Sequence, residues 1–341
     1  GFISLPSIIF KFHMNNRNIS KKILHWYDNN KRVLPWRKPK SKKQSEYFTL
    51  VSEIMLQQTQ VKTVVPYFER FIYSIPNLNL LAKIKEKKLL KLWEGLGYYS
   101  RAKNLKKTAK ILISKFNGRL PDKIEDLKRL PGIGDYTSRA ILALEFNKKI
   151  IPLDGNVERL LKRVLFLKKQ NEITKDNLMI KTNFFSSSIR QRDYVQALME
   201  IGALICKPIE PLCISCPITN HCLSFKKKNF NLIKKNKKKK VKYFEANIYV
   251  NNNRIYLVRN KKFNFLKNFL IFPMNEIDKN KFNSSSNKKT NIKMSNMDMK
   301  ILINKKFIKK SIQGTFLDSN KSNNHILPSF TKKLFRVAAS Q

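Results

Sequence analysis

Leu130-Pro131-Gly132-Ile133-Gly134-Asp135-Tyr136-Thr137 is the stretch whose reading decides the fold of this chain. Pro131 forbids continuation of a helix closing over Asp126 to Leu130, and Gly132 and Gly134 free the backbone for a hairpin before Tyr136 to Leu144 winds again. The two glycines leave amide groups bare at the positive end of the second helix, where a phosphate can approach closely. The pattern is a helix-hairpin-helix over residues 126–144. Taken alone it is as consistent with a plain connector between helices as with contact to nucleic acid.

Working outward, Asp154-Gly155-Asn156 follows nineteen residues after Asp135. Asp154 is placed to be the N-cap of a helix over Val157 to Leu167, a role that satisfies most such aspartates. Upstream, the apolar stripe of Leu50, Val51, Ile54, Met55 and Leu56 predicts a buried helix over Tyr47 to Gln60. That helix carries Glu53, and an acid there is notable only if it has a chemical partner. Its end, Gln57-Gln58-Thr59-Gln60, is a cluster of amides able to read base edges or fill a gap in a base stack, or else a polar helix terminus.

Gly95-Leu96-Gly97-Tyr98-Tyr99-Ser100-Arg101-Ala102-Lys103 joins close backbone approach, aromatic stacking and phosphate neutralisation in nine residues, with core tyrosines beside a turn as the plain alternative. Asn18 to Asn29 and Lys106 to Phe116 read as amphipathic helices. Leu34-Pro35-Trp36-Arg37 breaks the first of these. An exposed Trp beside Arg suits stacking on a base, although a core Trp is commoner. Tyr194 to Cys206 is a further apolar helix carrying Gln196 and Glu200. Up to residue 225 there is no convincing alternation of period two, so this half is predicted all-helical.

A chain of 341 residues is long enough for two domains. Its formal charge of +47 favours a polyanionic partner, nucleic acid foremost, and no segment approaches the length of a membrane span. The abundance of Lys, Asn, Ile and Phe also fits AT-rich codons, so part of the charge is explicable without selection for binding. Gly1 to His13 lacks a basic n-region and a small-residue cleavage site and reads as an upstream extension before Met14. A cytoplasmic location is therefore expected, associated with the nucleoid through DNA.

All four cysteines, Cys206, Cys213, Cys216 and Cys222, fall in one window with spacing C-x6-C-x2-C-x5-C. Without a signal peptide such a window argues for a metal site rather than disulfides. Only one C-x2-C pair is present. The spacing favours an iron-sulfur cluster and leaves zinc open.

Lys226 to Lys242 is rich in Lys and Asn and reads as a basic linker. Beyond it, Tyr243 to Val250 and Arg254 to Arg259 alternate around Asn251-Asn252-Asn253 and predict a hairpin, with a further strand within Phe269 to Met274. Asp278 to Asn291 reads as a disordered insert. From Lys226 onward, 29 Lys and Arg face 5 Asp and Glu, which puts +24 of the charge on the last third. That charge opposes tight packing and predicts a small, poorly specified α+β domain.

Five motifs in order then resemble one family. They are Ser52-Glu53-Ile54-Met55-Leu56-Gln57-Gln58-Thr59-Gln60-Val61, Gly95-Leu96-Gly97-Tyr98-Tyr99, Leu130-Pro131-Gly132-Ile133-Gly134, Leu153-Asp154-Gly155-Asn156-Val157 and the cysteine window. Together, from about Met14 to Leu223, they resemble the adenine DNA glycosylases, the MutY type of the endonuclease III superfamily. The resemblance implies a mainly α, two-lobed helix-hairpin-helix glycosylase fold over 14–225, with a cluster loop at 206–222. It implies one [4Fe-4S] cluster on the four cysteines, and removal of adenine mispaired with 8-oxoguanine or guanine in double-stranded DNA by a monomer.

Carried onto these positions, the resemblance implies that Glu53 protonates the leaving base, Asp154 stabilises the oxocarbenium-like sugar and Asn156 places water or Asp154. Trp36, Arg37 and Gln196 would line the adenine pocket, and Gln58 and Tyr98 would fill the space vacated by the flipped base. Gln57 and the hairpin glycines Gly132 and Gly134 complete the expected DNA contacts. Lyase-competent relatives place Lys where this chain has Tyr136, so a monofunctional enzyme is expected, with Tyr136 hydrogen-bonding near Glu53. Residues 243–341 are similar to a Nudix-like domain, degenerate and partly disordered. Its expected Phe-Ser-His stretch is not recognisable between Ser311 and Pro328. The competing readings are a mismatch thymine glycosylase, a non-catalytic DNA-binding remnant and a zinc-stabilised helix bundle.

Overall fold

The computed structural model describes residues 19–167, 190–230, 240–252, 254–294, 297–308, 315–318 and 326–339. The expected extension, Gly1 to His13, and the middle of the expected linker, 231–239, lie outside them. Residue contacts divide the chain into two units. One joins Gly1–Ile84 with Ser100–Lys235, and the other joins Lys85–Tyr99 with Asn236–Gln341.

The first unit is helical. Its helices are α1 (19–30), then α2 (Lys42–Leu56), α3 (Val61–Ser74), α4 (Leu78–Lys83), α6 (Ser100–Phe116), α7 (Ile124–Lys128), α8 (Asp135–Phe146), α9 (Gly155–Leu165), α10 (Gln191–Glu200) and the short α11 (Leu223–Lys226). No strand precedes Lys240 among the described residues. α2 is the central element: every residue from Ser45 to Met55 is buried, and the helix packs on α3, α6 and α8. A helix buried on all sides must find partners for its polar groups inside the protein.

Glu145 of α8 supplies several of those partners. It accepts from Ser45 Oγ at 3.0 Å and from Thr49 Oγ1 at 2.5 Å, and pairs with Lys42 at 3.0 Å. At the other end, the buried Arg101 donates to the carbonyls of Ile54, Met55 and Gln57 at 3.1, 2.7 and 2.6 Å. These are carbonyls that the last turn of a helix leaves without intrahelical donors. α2 accordingly stops at Leu56, four residues short of the prediction. Gln57 to Gln60 form the turn into α3, with Gln58 in the left-handed region at φ +56°.

A second cluster packs Ile19, Ile23 and Tyr27 of α1 against Val157, Leu160, Leu161 and Val164 of α9 and Tyr194, Ala197 and Leu198 of α10. α10 ends at Glu200, where the predicted helix to Cys206 gives way to a π-helical turn, Ile201–Ile205. α6 begins at Ser100, six residues before the predicted start at Lys106.

The second unit holds α5 (Glu86–Leu92), the turn after it and a seven-stranded sheet. The strands are β1 (Lys240–Asn251), β2 (Arg254–Arg259), β3 (Leu270–Ile271), β4 (Met274–Ile277), β5 (Lys288–Met294), β6 (Met297–Phe307) and β7 (Thr315–Asp318). The sheet order is β3-β2-β1-β6-β5, with β4 on β1 and β7 on β2. The predicted hairpin is present, with Val250 opposite Ile255. β1 and β6 run parallel from Lys240 with Met297 to Val250 with Phe307.

Three expectations are corrected here. The insert expected to be disordered holds helix α12 (Lys279–Ser284), capped by Asp278, and most of β5. The domain expected to be poorly specified has a continuous core of Phe244, Ala246, Ile248, Leu257, Phe272, Met299 and Ile301, closed by Phe330 and Leu334 of α13 (Ser329–Ala339). Period-two alternation lets the lysines occupy the solvent-facing positions, so charge and core do not compete. Finally, Lys85–Tyr99, assigned by sequence to the helical domain, groups with the sheet.

Candidate active site

Three elements of the helical unit converge on one carboxylate. Glu53 lies in the last turn of α2, Tyr136 in the first turn of α8, and Asp154 caps α9. Burial pushes Glu53 up to about 7, and the charge of Asp154 adds to the rise. A hydrogen bond from Tyr136 and the Arg37 guanidinium pull the other way. Burial also holds the Tyr136 phenol well above its ordinary range, helped by the charges of Glu53 and Asp154. The phenol therefore stays protonated and donates to Glu53.

Asp154 is held differently. Its Oδ1 accepts the backbone N–H of Asn156 at 2.8 Å and of Val157 at 2.7 Å, the geometry of an N-cap. Burial raises its pKa, while these donors and the Arg159 guanidinium favour the charged form. One carboxyl is thus set to carry a proton near neutrality and its neighbour is surrounded by donors that suit an anion. Such a pairing is chemically able to combine acid catalysis with charge stabilisation in one site.

The hairpin sits beside this pair. Gln57 Nε2 donates to the Gly132 carbonyl at 3.0 Å and to Thr137 Oγ1 at 3.2 Å, tying the end of α2 to the turn. Gly132 adopts φ +81°, and a Cβ there would lie 3.0 Å from Asn104 Cβ, so glycine is required. Gly134 precedes α8 as its N-cap residue. Gln58 is exposed. Tyr98 belongs to the other unit and is also exposed.

Arg37 stacks over the Tyr27 ring at 5.7 Å and pairs with Glu200, whose carboxylate also accepts the Arg32 N–H at 3.1 Å. Gln196 accepts from the Tyr27 hydroxyl at 3.2 Å, so Arg37 and Gln196 meet on one ring. Of the two readings left open for Trp36, the core one describes it: the residue is 9% exposed and packs edge-on against Phe68 at 5.4 Å. Phe68, buried on α3, is the neighbour of the indole.

All four cysteines line one cavity below α9, together with Leu160, Arg163, Ile218 and Thr219. Arg163 Nη1 lies 3.4 Å from Cys206 Sγ. Cys216 receives hydrogen bonds from the Ile218 N–H and the Thr219 hydroxyl, and Cys222 from the N–H groups of Ser224 and Phe225. Burial still pushes the Cys216 thiol up to about 11. Among the described residues no three His, Cys, Asp or Glu side chains are grouped to grip a single metal ion. A shared cavity, N–H groups directed at sulfur and an adjacent guanidinium fit a group ligated by four thiolates.

The chain is similar to known proteins in sequence and in fold. Residues 51–183 match the HhH-GPD superfamily of base excision DNA repair proteins. The adenine DNA glycosylase of Buchnera aphidicola subsp. Baizongia pistaciae is 40% identical over 257 residues, which cover 74% of this chain and 72% of that protein. This chain belongs to the adenine DNA glycosylase family. Among solved structures, a thermostable thymine-DNA glycosylase superposes with a TM-score of 0.55 at 25% identity, covering 63% of this chain and 98% of that one. Endonuclease III in a trapped DNA complex gives 0.52 at 20% identity with the same coverage and shows the shared helical fold.

Two residues whose partners lie at the site escape sequence reading. Glu200 is fully buried, and only its packing against Arg37 and Arg32 distinguishes it from an ordinary helical Glu. Its place one turn after Gln196 was the available signal. Arg159 donates to Asn156 Oδ1 at 2.9 Å, to the Gly202 carbonyl at 2.6 Å and to the Cys206 carbonyl at 2.7 Å, which joins the Asp154 turn to the cysteine loop.

Gly202 has no room for a side chain, since its Cβ would sit 2.8 Å from the Asn156 carbonyl oxygen. Gly202→Ala must therefore separate the π-helical turn from the Asp154 turn. The expected loss is about 1–3 kcal/mol in denaturant unfolding. An unchanged midpoint would mean that the two turns are not in contact in solution.

Proposed function

We propose that the chain hydrolyses the N-glycosidic bond of adenine mispaired with 8-oxoguanine or guanine in duplex DNA, flipping the base out of the stack and cleaving no DNA strand. The observation that carries this reading is the buried Glu53, raised to about 7, hydrogen-bonded by Tyr136 and facing Asp154. Glu53 donates its proton to a ring nitrogen of adenine as the C1′–N9 bond breaks, so the base leaves neutral. The Asp154 carboxylate balances the positive charge that develops on the sugar. Water, placed with the help of Asn156, adds to C1′, and its proton returns to Glu53. Arg37, Trp36 and Gln196 line the adenine pocket, and Gln57, Gln58, Tyr98, Gly132 and Gly134 meet the DNA.

Tyr136 has no amine with which to form a Schiff base, which supports a monofunctional reaction. Cys206, Cys213, Cys216 and Cys222 would hold one [4Fe-4S] cluster, whose thiolate bonds would cross-link the loop. The purified protein is then brown, and a colourless sample replete with zinc would overturn this assignment. The sheet unit is Nudix-like and reads the base opposite adenine, supported by the run Val258-Arg259-Asn260 leading to Phe269-Leu270-Ile271-Phe272-Pro273. The expected Phe-Ser-His region lies partly outside the described residues. The protein acts as a monomer, and no helix among the described residues is long and apolar enough to cross a membrane.

Single-turnover assays test the reading on duplexes holding adenine opposite 8-oxoguanine, adenine opposite guanine, and thymine opposite guanine. Adenine release with strand breaks only after alkali is expected. Thymine release would favour the mismatch thymine glycosylase, and binding without release a non-catalytic remnant. A covalent complex trapped by borohydride would overturn the monofunctional reading. The rate is also pH-dependent: Glu53 must be protonated, so excision falls about tenfold per unit above pH 7, and it falls again at acid pH once Asp154 takes up a proton. A rate that climbs as pH rises through 7 would remove Glu53 from the acid role.

A further inference from the structure

The turn that carries Tyr98 is gripped by the sheet unit on both sides. Glu94, whose side chain is 8% exposed, pairs with Lys332 of α13 at 2.7 Å and accepts the Leu327 N–H at 3.3 Å. Burial would raise its pKa, yet the ammonium groups of Lys332 and Lys91 more than offset this, and the net shift is downward. On the other side of Tyr98, the Tyr99 ring lies 4.3 Å from Phe269, just before β3. Both grips belong to one piece of structure. Thr331 Oγ1 donates to the Leu270 carbonyl at 2.9 Å, joining α13 to β3, and Leu327, Phe330 and Leu334 are anchored in the sheet core.

Between the two grips the backbone is unusual. Gly95, Gly97 and Tyr98 all have positive φ, at +104°, +74° and +47°, and the Trp93 indole N–H donates to the Gly97 carbonyl at 3.1 Å. A tyrosine in the left-handed region is strained and persists only where its surroundings over-determine it. The residue is nevertheless 39% exposed, so its backbone is held while its side chain reaches the surface.

We propose that the sheet unit braces the Tyr98 turn, with Glu94, Lys332 and Phe269 as positioning residues that present the Tyr98 ring to the base stack. The inference rests on the reading of Tyr98 as a residue that enters DNA. It assigns the C-terminal residues a task separate from reading the opposite base. Loss of the brace should weaken DNA engagement whether that base is guanine or 8-oxoguanine.

A double-mutant cycle tests this on binding to duplexes with a tetrahydrofuran abasic analogue opposite guanine or 8-oxoguanine. Tyr98→Leu should weaken binding about tenfold through lost stacking. Lys332→Met should weaken it about fivefold opposite either base, and should add nothing once Tyr98 is Leu. Glu94→Gln, which can still accept a hydrogen bond, should restore part of the loss seen in Glu94→Ala. If Lys332→Met lowers the thermal midpoint, Phe269→Leu takes its place in the cycle. Additive losses, losses confined to 8-oxoguanine, or no effect of Tyr98→Leu would overturn the brace while leaving adenine excision by the wild type intact. A wild type that binds neither duplex would overturn the functional reading and the brace together.

Discussion

Glu53→Gln should lower single-turnover adenine excision by about 10²- to 10⁴-fold while keeping affinity for the mispaired duplex. Gln matches Glu in shape and can still accept from Tyr136, but it has no proton to give the leaving base. Near-normal turnover in this variant would remove Glu53 from the chemistry. The same substitution should stabilise the fold at alkaline pH. The folded pKa of Glu53, about 7, lies above its ordinary 4.5. The folded state therefore holds the extra proton between those values, and the favourable contribution present below pH 4.5 is lost as pH rises through 7. At pH 8 the wild type carries a buried, unfavourable charge that Gln lacks. Relief of up to about 3 kcal/mol in denaturant unfolding is expected, shrinking to nothing at pH 4.

Asp154→Asn should cost about 10²- to 10³-fold in excision, because it removes the charge opposite the developing cation. Asn is as good an N-cap as Asp, so the bonds to the N–H groups of Asn156 and Val157 survive and stability should hold. Asp154→Ala loses both functions: excision should fall as far, and stability by about 1 kcal/mol more. If Asn restored turnover while Ala abolished it, the cap and not the charge would be the contribution of this residue.

These two residues mark the boundary between local and tertiary information. The Asp154 cap, the Pro131-Gly132 break, the C-x6-C-x2-C-x5-C window and the β1–β2 hairpin follow from short-range chemistry, namely a side-chain acceptor beside bare amides, a missing donor, a ligand spacing and a period of two. They were legible because each is complete within a few residues. The buried course of α2 was legible too, from its stripe of apolar positions, but its end was not. Arg101 arrives from α6 to take the last carbonyls, and Gln57 and Gln58 leave the helix as a result.

Order in 278–291 was misread because composition counts charge without asking which face of a strand carries it. What the sequence by itself determined was therefore the helix-hairpin-helix, the β1–β2 hairpin and the membership of the family, and it singled out Glu53 and Asp154 as candidate acids, each encoded by residue type at short spacing. Only the tertiary structure decided that Glu53 holds a proton near neutrality, that Trp36 turns inward onto Phe68, that Glu200 and Arg159 find their partners, and that the Tyr98 turn belongs with the sheet. Each of these depends on burial or on a charge brought from far along the chain, and neither is written in any local window.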